Sequence, residues 1–238
     1  MKIESRLEEA RQLIDQARYR KAEKLLKPLK EQGGIRVREM LARCYLESEK
    51  FAKALKELRA LLKKDPDNPD YLMSSAQCLA YTGKMDEAKK IMASLENLAG
   101  KNPEFHYTKA LLFMRDEDYS STLKETEEAL SLYREENELT TRRKRFIRLM
   151  RMVCHRFLMN PEGVLSEAKE MVPLYTQPKD ALAQVEGLGS PMILHAVLSV
   201  LVEKVPELNT EQMREQLDKL EESAKQELEL LKKSKKQD

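Results

Sequence analysis

The chain lacks tryptophan altogether, and Phe and Tyr raise aromatics to only 5% of its 238 residues. Its 7 Gly and 9 Pro are about half the usual share, which argues against a turn-rich all-β fold. The 3 cysteines, Cys44, Cys78 and Cys154, are odd in number and far apart. That excludes a disulfide framework and points to a reducing compartment. Long apolar runs are missing as well. The most apolar window, Met192 to Val202, is broken by His195 and Ser199 and falls short of the ~20 residues a membrane span needs. The start, Met1-Lys2-Ile3-Glu4-Ser5-Arg6, holds no basic-then-apolar leader, so a secretory signal is not expected. Finally, 43 Lys and Arg against 41 Asp and Glu leave a net charge of +2, too balanced to argue for nucleic acid. These absences together predict a soluble cytoplasmic protein.

What is abundant is charge, at 35% of residues, beside small apolar residues. That mixture suits an all-α fold of many exposed helices with close packing between them. Four segments open alike: Tyr19-Arg20-Lys21-Ala22, Phe51-Ala52-Lys53-Ala54, Met85-Asp86-Glu87-Ala88 and Tyr119-Ser120-Ser121-Thr122. Each sets a large residue three places before a small one, and the small residues recur at intervals of 32, 34 and 34. Amphipathic runs flank each opening, so the repeating unit is a helix pair in which the small side chain admits the second helix close to the first. Breakers fall between units at Gly33-Gly34, Asp65-Pro66-Asp67-Asn68-Pro69 and Gly100 with Asn102-Pro103. Asn68-Pro69 and Asn102-Pro103 read as an N-cap followed by proline in the first turn.

With Leu41-Ala42-Arg43-Cys44-Tyr45, Ala54, Leu58 and Pro66, then Ala76, Leu79, Gly83, Ala88, Met92 and Leu95, the pattern resembles the tetratricopeptide repeat family. The resemblance covers residues 3 to about 135, as four units. The first carries Glu9-Ala10 where the family wants an apolar-small pair, and reads as an N-terminal cap. The family's preferred Trp is replaced by Arg38, Leu72 and His106. The resemblance implies a right-handed superhelical stack of antiparallel helix pairs, an α-solenoid, with first helices lining a concave wall. Residues 136–231 form a helical extension: an enlarged fifth pair over Glu138 to about Leu174, a buried helix over Met192 to Val205, and a capping helix from Asn209. Residues 232–238 are a basic tail expected to fray.

No catalytic constellation is found. His106, His155 and His195 stand far apart without metal-ligand neighbours, no glycine-rich phosphate loop occurs, and Gly187-Leu188-Gly189-Ser190 lacks the second glycine of a nucleophile elbow. No enzyme, cofactor or metal is expected. Cys44 and Cys78 occupy the same place in successive units, where a small apolar residue packs. The functional expectation is therefore a scaffold or adaptor that binds a peptide or helix of a protein partner.

On the resemblance, the groove is lined by Arg11, Arg36, Arg43, Met73, Gln77, Tyr81, Tyr107, Leu111, Met114 and Arg115, ionic at one end and apolar at the other. Exposed Met and Tyr suit an amphipathic peptide; alternatively, Tyr107, Leu111 and Met114 are covered by the C-terminal half. The family's clamp for acidic chaperone tails is not reproduced: its places read Glu39, Arg43, Ser74, Glu104 and Thr108, or, one unit earlier, Leu7, Arg11, Met40, Asp70 and Ser74. Chaperone-tail capture is disfavoured.

The stretch from Leu139 to Pro161 holds seven Lys or Arg and no acid. Lys144, Arg148, Arg151 and His155 form one stripe beside an apolar face of Phe146, Leu149, Met150, Val153 and Phe157. The stripe is either a solvated face balancing an acidic remainder or a contact for an acidic protein, RNA or an anionic surface, and the nucleic-acid reading ranks below the protein partner. Arg142-Arg143-Lys144-Arg145 resembles a nuclear-import signal, which leaves the nucleus open as a second location. A third alternative is a structural subunit docked through its C-terminal half.

Overall fold

The computed structural model describes residues 2–30, 34–99, 101–134 and 137–235. Gly33, Gly100 and the last three residues of the basic tail, each singled out above, lie outside the described residues. Among the described residues thirteen α-helices follow one another, with no strand: α1 (Lys2–Asp15), α2 (Tyr19–Leu26), α3 (Gly34–Glu47), α4 (Phe51–Leu62), α5 (Pro69–Tyr81), α6 (Met85–Ala99), α7 (Pro103–Arg115), α8 (Tyr119–Leu132), α9 (Glu138–Phe157), α10 (Pro161–Met171), α11 (Pro178–Glu186), α12 (Pro191–Lys204) and α13 (Glu211–Ser234). Helix starts follow from side-chain caps. Asn68 accepts from the Asp70 and Tyr71 amides, and Asn102 from that of Glu104 at 2.9 Å, each with proline at the next position. Each cap contributes about 1 kcal/mol.

The chain divides into two compact units, residues 1–116 and 117–238, whereas the repeat pattern of the sequence runs on to about 135. In the first unit the helices pack as consecutive pairs, α1 on α2, α3 on α4 and α5 on α6, and α1 also meets α3 as α5 meets α7. Ala22, Ala54 and Ala88 are all fully buried, so the small residues of the recurring openings do sit at the close helix contacts. Around them Leu41, Leu58, Leu79, Met92, Leu95 and Phe105 form one core.

In the second unit α8 packs on α9, α9 on α10, and α12 on α10, α11 and α13. Helix α12 is apolar on most sides, and Met192, Ile193, Ala196, Val197, Val200 and Leu201 are buried accordingly. Helix α13 adds Ala224 and Leu228 to that core. Lys232, Lys233 and Ser234 continue this helix, where a Lys232–Glu229 pair at 2.8 Å and cations beside the carbonyl end favour helical geometry.

One turn recurs through both units. Ala17, Glu49, Gly83, Glu117 and Met159 all have positive φ, between 56° and 80°. Ala17, Glu49, Gly83 and Met159 each follow the first helix of a pair, and Glu117 follows α7. At four of them the next amide reaches back five residues: Arg18 to Leu13, Lys50 to Tyr45, Lys84 to Leu79 and Asn160 to His155, at 2.7 to 2.8 Å. This is the Schellman closure of a helix, and it marks α9–α10 as a pair turned like α3–α4 and α5–α6. Five residues before the turn stand Cys44, Cys78, Leu112 and Cys154, all buried. The three cysteines therefore hold equivalent places. Burial pushes the thiols of Cys78 and Cys154 up to about 12 and raises that of Cys44, so none is a nucleophile at neutral pH.

Candidate functional site

Helices α1 and α3 lie side by side and enclose a cleft of about 250 Å³ lined by Glu4, Leu7, Glu8, Arg11, Arg36, Glu39, Met40 and Arg43. Three of the expected groove residues, Arg11, Arg36 and Arg43, meet here. They recur along α1 and α3 at helical spacing, so one face of each helix faces the same space. Leu7, at 5% exposure, and half-buried Met40 supply the apolar lining. Arg36 Nη1 donates to Glu4 Oε1 at 2.6 Å, and Arg43 Nη2 to Asp15 Oδ1 at 2.6 Å. The Tyr71 hydroxyl makes a short bond to Glu39, which holds that phenol up at about 12. Arg11 is exposed and makes no hydrogen bond or ion pair among the described residues.

The other expected groove residues are engaged or buried. Gln77 Nε2 donates to Thr108 Oγ1 at 2.8 Å, joining α5 to α7. Tyr81 stacks on Phe51 with centroids 4.1 Å apart, and the Arg115 guanidinium lies 5.5 Å from the Tyr81 ring. Met73, Tyr107 and Leu111 are each 3% exposed, so the structure places them inside rather than on an open wall; Met114 is half-buried.

The basic stripe on α9 is turned inward onto one carboxylate. Glu167 is 4% exposed; its Oε2 accepts from Arg148 at 2.8 Å, its Oε1 from Arg151 at 2.6 Å, and His155 Nε2 lies 3.8 Å away. Arg151 also donates to the Leu123 carbonyl and Thr126 Oγ1, and pairs with Glu127 at 3.0 Å. Burial lowers the His155 pKa below its usual value, so the ring is neutral at pH 7. A Cβ on Gly163 would stand 2.4 Å from His155 Nδ1; only glycine lets the ring fit. Lys144 alone of the stripe has no partner among the described residues. The solvated-face reading of this stripe gives way to a packed one for Arg148, Arg151 and His155.

Sequence reasoning missed these buried glutamates. Arg38, which stands where the family's Trp would, donates to Glu57 Oε2 at 2.9 Å, nineteen residues on, and Arg148 donates to Glu167 over the same separation. Glu57 and Glu167 each fall three residues after the small or branched residue, Ala54 or Val164, at the close helix contact. An acid inside an apolar stripe, facing a basic residue on the preceding helix, was the available signal. Glu23 draws Lys27, Lys50 and Lys53, and Glu227 binds Arg156, the Ser190 hydroxyl and the Met192 amide at the start of α12. Among the described residues no three His, Cys, Asp or Glu side chains converge as a metal site, and no helix is long and apolar enough to cross a membrane.

A family model described as tetratricopeptide repeat matches residues 13–78 and 45–112. Residues 13–112 are tetratricopeptide repeats. Two solved structures share the fold. A thermophilic tetratricopeptide-repeat protein of Thermus thermophilus superposes with a TM-score of 0.64 at 16% identity, over 77% of this chain and 97% of that one. A tetratricopeptide repeat protein from Parabacteroides merdae gives 0.52 at 12% identity, over 95% and 82%. No sequence match was found among curated proteins. The tetratricopeptide array is a helical-repeat scaffold of a kind that generally serves protein interaction.

Proposed function

We propose that this tetratricopeptide-repeat protein is a non-enzymatic adaptor that receives a peptide or helix of a partner protein in the cleft between α1 and α3. One observation carries the reading: Arg11 stands unpaired beside an apolar lining of Leu7 and Met40, within a cleft whose other arginines are already held. Arg36 and Arg43 pair with Glu4 and Asp15 across the cleft, and Arg11 is left to bond a carboxylate or carbonyl of the ligand. A volume of about 250 Å³ suits one or two side chains rather than a cofactor. Met40 adapts its shape to the side chain that enters. The buried thiols agree with a reducing, cytoplasmic setting.

The test is a displayed-peptide selection on the full chain, followed by calorimetric titration of the enriched peptides against wild type and Arg11→Glu. The expected outcome is binding weakened about tenfold or more by the reversal. Equal affinity for both forms would remove the cleft from the reading.

A further inference from the structure

Residues 18–64 carry fifteen Lys or Arg against six acids, an excess of nine within a chain whose total is +2. The only acids on α2 and α4 are Glu23 and Glu57, and both are buried, at 8% and 4% exposure. Arg20, Lys21, Lys24, Lys56, Arg59 and Lys63 are all exposed and make no hydrogen bond or ion pair among the described residues. Ion pairs join the two helices: Lys50, just before α4, and Lys53 on it reach Glu23 of α2 at 2.7 and 3.7 Å, and Lys30, just beyond α2, reaches Glu57 at 2.5 Å. The buried carboxylates thus consume inner cations and leave the outer ones free. Lys56 and Arg59 on α4 and Lys63 at its C-terminal cap fall at i, i+3 and i+7, a row with a rise of about 10 Å. Arg20 and Lys24, one turn apart, begin the neighbouring row on α2.

We propose that these two rows bind the phosphodiester backbone of a nucleic-acid duplex without reading its sequence. Complementarity of charge selects the ligand, since a duplex presents a continuous line of phosphates, one per about 3.4 Å of each strand, to these point cations. Among the described residues the large exposed apolar side chains are Ile35, Phe146, Leu188 and Leu230, and none lies on α2 or α4. No fully exposed apolar side chain on these faces is placed to insert into a membrane, and the apolar residues nearest the cations on α2, Tyr19 and Leu25, are half-buried. The surface is separate from the α1–α3 cleft and from the paired stripe on α9.

Fluorescence anisotropy of the full chain with labelled mixed-sequence RNA and DNA duplexes tests this, beginning at about 50 mM salt. Binding is expected, with log affinity falling linearly against log salt by about 0.9 for each phosphate contacted. The triple variant Lys24→Glu/Lys56→Glu/Arg59→Glu should weaken binding at least about tenfold and reduce the slope by about one per lost contact. Lys124→Glu/Lys169→Glu/Lys179→Glu makes the same charge change at exposed positions elsewhere and should retain most of the affinity. No binding at low salt, equal loss in both triple variants, or binding to phosphatidylserine vesicles without binding to either duplex would overturn the proposal.

Discussion

Glu23 takes a hydrogen bond from Lys50 at 2.7 Å and one from the Tyr45 hydroxyl at 3.3 Å, with Lys27 2.8 Å away. Bonds to Lys27 and Lys50, together with their positive charge, hold its carboxyl down at about 2 against an ordinary value of 4.5. Because the folded value lies below the unfolded one, the ionised form stabilises the fold above pH 4.5 and that contribution is lost as pH falls toward 2. Glu23→Gln removes the charge while keeping the shape. It should lower stability at pH 7 by about 1 to 3 kcal/mol, as for hydrogen bonds to charged groups. Urea unfolding across a pH series checks this, and the gap from wild type should close as the pH approaches 2. A constant gap would show that the lysines matter through packing alone. His155 works on a different limb. Its pKa is lowered by burial, so its neutral ring stabilises the fold above the usual histidine value and loses that contribution as pH falls below it.

At the scale of the element, the recurring turn explains both what the sequence revealed and what it hid. Gly83 is the only glycine among the five left-handed turn residues, so only that turn was visible as a breaker. At Ala17, Glu49, Glu117 and Met159 an ordinary side chain occupies a conformation that costs it about 1 kcal/mol or more. Glu49 is exposed and no hydrogen bond or ion pair ties its side chain down among the described residues. Glu49→Gly should therefore stabilise the protein by up to about 1 kcal/mol, offset in part by the greater freedom of the unfolded chain. Thermal unfolding measures it, and a lower midpoint would contradict the strain. The recurring intervals made the pairs α1–α2, α3–α4 and α5–α6 legible, because close helix contacts demand small residues at fixed spacing. The pair α9–α10 was harder to align, since its turn follows the previous one by 42 residues and α9 runs to 20. The partners of the basic stripe were not legible from α9 itself. Glu167 lies on another helix, and nothing in the local pattern of α9 distinguishes a cation that will be paired from one that will stay in water.

Taken whole, the molecule stands on neighbour contacts rather than on any single helix, because no helix pair buries its apolar face alone. Ala88 is fully buried between α5 and α6, whereas Ala224 is only partly buried on α13. Ala88→Leu should cost about 1 to 3 kcal/mol by overpacking, and Ala224→Leu less. Paired thermal melts compare them, and an unchanged midpoint for Ala88→Leu would undo the repeat register and the cleft residues drawn from it. Of the candidate site, it was the family resemblance, not spacing, that set Arg11, Arg36 and Arg43 on one wall, and all three line the α1–α3 cleft. The apolar end was not, since whether Tyr107 or Leu111 meets water depends on what packs over it, and sequence spacing carries no record of that. The equivalent placement of the three cysteines has a practical consequence. Cys44 and Cys78 lie in the first compact unit and Cys154 in the second, and none is reachable in the closed fold. Alkylation under native conditions must wait for a unit to open, so the rate at which each thiol is trapped clocks the breathing of its own half of the chain, with no label or probe added to the protein.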